Sequence, residues 1–203
     1  MSGTYPNNPA NGDAQFNSVN IKINTPVIKT QTNSGLTRRV AQGHSFYTIT
    51  AKYNNITKYD AGPILGFISE QYGSLEKFQI VLPEISYSKL GSNQTTSTVT
   101  TSASALAGVD HVSVTGVTSG KFLLRAGDYF KFANHDKVYM CTVSWTTGNP
   151  LYFSGSLVKD VPSGTQITYN AVPFTVILDG EVQQYDTGIG GIIQLSLDMR
   201  ETW

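Results

Sequence analysis

The chain has 203 residues, 39% hydrophobic and 14% charged, with 14 Lys+Arg against 14 Asp+Glu and therefore no net charge. That balance gives no electrostatic drive toward nucleic acid or an anionic membrane. No apolar run approaches the ~20 residues that cross a bilayer, and a lone cysteine, Cys141, excludes an internal disulfide.

The length allows one large β domain or two small ones. Residues 1–18 are rich in Asn, Pro and Gly and read as an arm with no core of its own, mobile or laid across a neighbour. They have neither the basic start nor the apolar run of a signal peptide, so synthesis and folding in a cytoplasm without secretion are expected. Val19, Ile21 and Ile23 alternate as in a strand, which Pro26 bends or places at an edge. Val27 to Thr30 continue it, Gln31 to Gly35 form a loop tip, and Thr37 to Gln42 run extended. Within that last segment, Arg38 and Arg39 are the candidates for a subunit contact.

From His44 to Tyr53, Tyr47, Ile49, Ala51 and Tyr53 share one face of a strand, with Phe46, Thr48, Thr50 and Lys52 on the other. Asn54-Asn55 reads as a turn. The spacing of Ile64, Leu65, Ile68 and Tyr72 predicts a helix over Asp60–Tyr72, with Asp60 as N-cap, Pro63 in the first turn and Gly73 at C′. Phe78–Leu82 reads as a buried strand ended by Pro83. Residues 92–104, mostly Ser and Thr, are a linker or an exposed strand.

Beyond them the predicted strands are short: His111–Val117, Tyr129–Ala133, Val138–Trp145, Leu151–Phe153 and Gln166–Tyr169, with glycine-marked turns between. Asn134, His135 and Asp136 form the break between the second and third. Five such strands imply a small OB-like β-barrel or a small sandwich. Val172–Gln184 is then a long alternating strand, Asp186–Gly191 a glycine-rich tip, and Ile193, Leu195 and Leu197 mark a last strand. A strand pair there needs a sheet to join, and the first unit has too few strands of its own. The chain therefore reads as a discontinuous first domain, residues 1–86 and 171–203, with residues 87–170 inserted between as a second domain.

No catalytic constellation stands out. His44, His111 and His135 lack the spacing of a zinc site, there is no nucleophile elbow or phosphate-binding loop, and Cys141 has no His partner in sequence. Asp110, Asp128, Asp136 and Asp160 fall in turns and do not pair as hydrolase carboxylates. Tyr139, Trp145, Tyr152 and Tyr169 are candidates for stacking on a base or a sugar. The few cations of the insert argue against nucleic acid, leaving Trp145 and Tyr152 as candidates for a glycan contact.

Three collinear segments carry a family resemblance: Ile49–Pro83 as strand, helix and strand, Leu124–Thr142 (LRAGDYFKFANHDKVYMCT), and the run from Phe174 to LSLDMRETW at Leu195–Trp203. In order and spacing, across most of the chain, they resemble the distal tail protein of long-tailed siphophages in its two-domain form. The resemblance implies a mainly β fold, with a β-sandwich, one helix (Asp60–Tyr72) and a clasp hairpin with its continuation over Pro26–Tyr53, plus an outward-projecting OB-like barrel over Tyr87–Asn170. It also implies a structural virion protein that forms a homohexameric ring at the end of the tail tube. Its partners would be further copies of itself, the tail tube protein and the tail tip or baseplate hub protein, around a channel through which DNA passes without specific binding. Such a protein would be made and assembled in the bacterial host cytoplasm, with no catalytic residue, metal, cofactor or membrane insertion. The alternative is a glycan-binding module that contacts the host surface through the insert.

Overall fold

The structure, a computed structural model, describes residues 3–7, 13–88, 95–180, 185–188 and 190–203. It is mainly β, with one helix among the described residues. At its centre lie β4 (Phe46–Thr57) and β17 (Ile192–Glu201), paired antiparallel with Leu197 opposite Ala51. Both follow the two-residue period of a strand. Tyr47, Ile49, Ala51 and Tyr53 of β4 are buried, as are Ile193, Leu195, Leu197 and Met199 of β17. The opposite face of β17 is exposed at every second residue.

β1 (Ser18–Asn24) pairs the free side of β4. On the other flank β17 pairs β15 (Pro173–Leu178), and β15 pairs β5 (Phe78–Val81). β16 (Tyr185–Thr187) adds to the start of β17. Among the described residues these strands form one six-stranded sheet, order β1-β4-β17-β15-β5 with β16 off that path. The opposing layer expected of a sandwich is supplied by helix and chain. The apolar face is covered by Ile64 and Ile68 of the helix and by Tyr5 and Phe16 near the start.

Two local expectations change. Asn54-Asn55 is no turn: β4 runs on to Thr57, and Asn54 and Asn55 together face Gln194, with Asn55 at φ 57. This is a β-bulge, which lets an asparagine in the left-handed region re-aim the strand without ending it. Helix α1 spans Lys58–Glu70 and not Asp60–Tyr72. Thr57 is the N-cap, its Oγ1 accepting from Asp60 N at 3.2 Å, while Asp60 Oδ2 accepts from Thr57 Oγ1 at 2.7 Å. At the other end Gln71 is the C-cap, and Tyr72 and Gly73, at φ 50 and 67, lead the chain out.

A second set of short strands encloses a second apolar cluster containing Val99, Phe130, Phe132, Tyr139, Trp145 and Phe153. β10 (Tyr129–Phe132) pairs both β11 (Val138–Met140) and β14 (Ile167–Thr168). Three two-strand sheets complete it: β6 (Thr95–Thr101) with β8 (Val114–Val117), β7 (His111–Val112) with β13 (Leu151–Tyr152), and β9 (Phe122–Leu124) with β12 (Trp145–Thr146). Single bridges at Cys141–Phe153 and Thr100–Gln166 link β13 to β11 and β14 to β6. β7 and β8 follow one another in the chain with only Ser113 between them.

The expected strand Val138–Trp145 is therefore two. Cys141 to Ser144 depart because Thr142 N donates to Tyr152 O at 3.1 Å and the Cys141 thiol donates to Val143 O. The expected tip Asp186–Gly191 begins later, since Asp186 and Thr187 belong to β16. Part of the expected linker, residues 92–94, and the end of the expected strand Val172–Gln184, residues 181–184, lie outside the described residues.

The chain leaves the main sheet after β5 and returns at Val172, whose N–H donates to Ser86 O at 2.9 Å. Exit and return are thus neighbours. Val138 packs within the main sheet's cluster and Tyr129 against it, so the β10–β11 hairpin is one contact between the two parts, and His44 Nδ1, 3.3 Å from Ser156 Oγ, is another.

Candidate functional site

Three features bear on function: an exposed arm, the buried junction, and the aromatic side chains of the outer part. The arm is the hairpin of β2 (Val27–Gln31) and β3 (Thr37–Ala41), in which every strand residue is exposed. Its turn closes through Thr32 N to Leu36 O and Gly35 N to Thr32 O, both 2.9 Å, with Gly35 at φ 82 where a side chain would be strained. Four large apolar residues stand out on it, Val27, Ile28, Leu36 and Val40, the last 64% exposed.

The register separates the two arginines. Arg38 lies opposite Thr30 and Arg39 opposite Lys29, so consecutive residues place them on opposite faces. Lys29 and Arg39 are like charges facing each other directly, which destabilises a strand pair. No carboxylate among the described residues forms an ion pair with Lys29, Arg38 or Arg39.

The junction is built around Glu201, the last residue of β17. Its carboxylate is buried and accepts from Lys137 Nζ at 2.5 Å, Val138 N at 2.9 Å and Tyr47 N at 3.2 Å. Lys137 Nζ also lies 4.6 Å from the ring centroids of both Tyr47 and Trp203. Burial lowers the Lys137 ammonium and raises the Glu201 carboxyl, while their mutual attraction opposes both shifts. Nearby, Asp136 accepts from Lys131 at 2.9 Å and from Lys77 at 3.1 Å, adding a second link between the parts.

His135 is more than a turn residue. Tyr139 Oη accepts from Val158 N at 3.1 Å and lies 2.9 Å from His135 Nε2, and His135 Nδ1 lies 2.7 Å from Asn134 Oδ1. Burial, then Lys131 and Lys159, push its pKa down to about 4 from the ordinary 6.5. The folded protein thus refuses a proton that the unfolded chain accepts. Stability is full above pH ~6.5 and falls as pH drops toward ~4, by about 1–2 kcal/mol once the ring's partial exposure is allowed for. Urea midpoints measured across that range should flatten in His135→Gln.

The candidate chemistry is mostly spoken for. Trp145 is 1% exposed, its indole N–H donating to Asn149 O at 2.6 Å, so it fills the core and offers no face to a sugar. Tyr139 is buried likewise. Tyr152, at 41%, is open to solvent. Cys141 is buried with its thiol pushed up to about 11, the opposite of an activated nucleophile. Asp128 accepts from Arg125 N in its own turn and from Ser88 Oγ, and Asp160 accepts from Ala107 N of a distant segment, so each carboxylate has a structural hydrogen-bonding role. No group of three or more His, Cys, Asp or Glu among the described residues can hold a metal ion. No described helix is long and apolar enough to cross a membrane.

Sequence reasoning missed the Lys137–Glu201 pair, since 64 residues separate them. The one available signal was a charged residue at an inward position of β17, in register with Leu195, Leu197 and Met199. The chain matches no family model and no curated protein sequence.

Proposed function

We propose that the chain is a structural subunit of a bacteriophage virion, a distal tail protein that closes a hexameric ring around the DNA channel and joins tail tube to tail tip. The observation that carries this reading is the β2–β3 arm. A lone two-stranded hairpin is marginal in water, and this one exposes four large apolar residues and an unrelieved Lys29/Arg39 pair. Both costs are offset when a neighbouring subunit covers the apolar residues and brings carboxylates to the cations. A cyclic ring uses such a head-to-tail contact, each subunit giving one surface and receiving another.

Other features fit the same role. Zero net charge suits a conduit that must release DNA. The buried Lys137–Glu201 pair and the Lys77–Asp136 pair tie the outer part to the main sheet, as a component that transmits contact from host to tube requires. The partners of this reading are identical copies, the tail tube protein and the tip or baseplate hub protein, in the virion.

Light scattering and negative-stain images should show six-fold rings with a central hole, formed alone or once tube and tip proteins are added. Arg39→Glu relieves the like-charge pair within the monomer while opposing an acidic neighbour. It should leave the melting temperature unchanged or slightly higher and weaken ring assembly by about tenfold or more. A protein that stays monomeric with both partners present sinks the reading.

A further inference from the structure

We propose that Asp110, His111 and Tyr152 form a saccharide-binding platform on the outer part, beside a small groove edged by Leu106 and Val109. The proposal rests on the reading of the insert as a host-surface contact and relocates that contact from the buried Trp145.

The platform is set by strand register. Tyr152 of β13 lies directly opposite His111 of β7. Their rings are 5.3 Å apart at 38°, forming a continuous aromatic surface. The flanking residues Val112 and Leu151 are buried, which turns His111 and Tyr152 outward. The backbone is fixed on both sides: Thr142 N donates to Tyr152 O at 3.1 Å, and Phe153 N to Asp110 O at 3.0 Å. A rigid platform loses little entropy on binding.

The polar groups complete a sugar site. Asp110 Oδ1 lies 2.9 Å from His111 Nδ1, with both side chains largely in solvent. With Nδ1–H donating to Asp110, His111 Nε2 is an acceptor, and it has no partner among the described residues. The Asp110 carboxylate keeps its second oxygen. Two acceptors beside an aromatic face match a hexose, whose C–H face stacks on a ring while its hydroxyls donate in plane. A groove of about 220 Å³, lined by His111 together with Ser104, Leu106 and Val109, adjoins the imidazole on the scale of one sugar ring. Leu106 is 69% exposed there.

Two other occupants fit less well. A base stacked on the same rings would bring its phosphate toward Asp110, without a cation of the platform to receive it. A cross-strand aromatic pair that only steadies the β7–β13 pairing explains the ring contact, but not the solvent-facing carboxylate or the open groove.

The test is saturation-transfer NMR on the full chain with free glucose, galactose, rhamnose and N-acetylglucosamine. At least one should bind with a millimolar constant, raised by avidity where several copies sit together. Tyr152→Ala should weaken that binding by about tenfold or more. Asp110→Asn, a substitution at the surface that leaves the fold intact, should weaken it by about three- to tenfold, and Tyr152→Phe should retain it. No transfer to any of the four sugars, or equal binding by Tyr152→Ala and Asp110→Asn, overturns the site. Light scattering on the same samples reports the ring separately, so sugar silence with intact rings removes only this proposal.

Discussion

Lys137→Met is expected to destabilise the protein by about 3–5 kcal/mol, because it leaves a buried carboxylate without its counter-charge. Glu201 sits fully inside the junction, and its remaining donors are the backbone N–H groups of Tyr47 and Val138. Two hydrogen bonds do not offset the desolvation of an unpaired charge, so the group recovers its proton instead. A carboxyl whose folded pKa is raised binds that proton in the fold before the unfolded chain does. The deficit should therefore shrink as pH falls from 7 toward the carboxylate range.

Adding Glu201→Gln to Lys137→Met should recover more than half of the loss. The amide carbonyl still accepts from a backbone N–H and carries no charge, whereas Glu201→Leu would orphan both donors. Urea unfolding of the single and double variants measures the coupling directly. Additive losses would mean that the pair does not hold the junction.

The second large effect is at Tyr5. Tyr5→Ala should cost about 3–5 kcal/mol, the range for deleting a large buried ring. Tyr5 is almost fully buried and contacts the rings of Phe16, Phe67 and Phe78. Its hydroxyl lies 3.1 Å from that of Tyr53, and burial raises both groups well above the ordinary phenol range. Tyr5→Phe removes only that contact and should cost about 1 kcal/mol. A Tyr5→Ala midpoint within error of the parent would show that the segment is not part of the core.

That segment also marks where the sequence misleads. Residues 1–18 read as an arm without a core because Asn, Pro and Gly dominate them and no period is visible. Periodicity is a property of several residues, while Tyr5 anchors singly. Beside it Thr4 bridges Gln79 in parallel, and Tyr5 N donates to Gln79 O at 2.8 Å, so the segment covers the edge strand β5 that would otherwise lie open.

Where the pattern is long, sequence and structure agree. Tyr47, Ile49, Ala51 and Tyr53 share the inward face of β4, and Ile193, Leu195 and Leu197 that of β17, because a strand with one face in water must alternate. The pairing of the last strand with the first sheet was legible for a related reason: an isolated hairpin cannot bury both its faces. Short outer strands carry too few residues to show a period, so β9 went unread and Val138–Trp145 merged into one. Trp145 and Tyr152 look alike in sequence, both aromatic in short polar strands. Only the packing of the outer strands around their shared cluster puts one at 1% exposure and the other at 41%.

Composition and strand period are enough to make this protein mainly β, without net charge or a membrane-length apolar stretch, and with its last strands returning to its first. Those are consequences of composition and of a two-residue period, which are local. Which aromatic ring meets solvent, and which arginine faces a lysine, is settled only in the folded chain. So is the locking of the junction by a lysine and a glutamate far apart in the chain. Those depend on register and on burial, and neither is defined until distant segments meet.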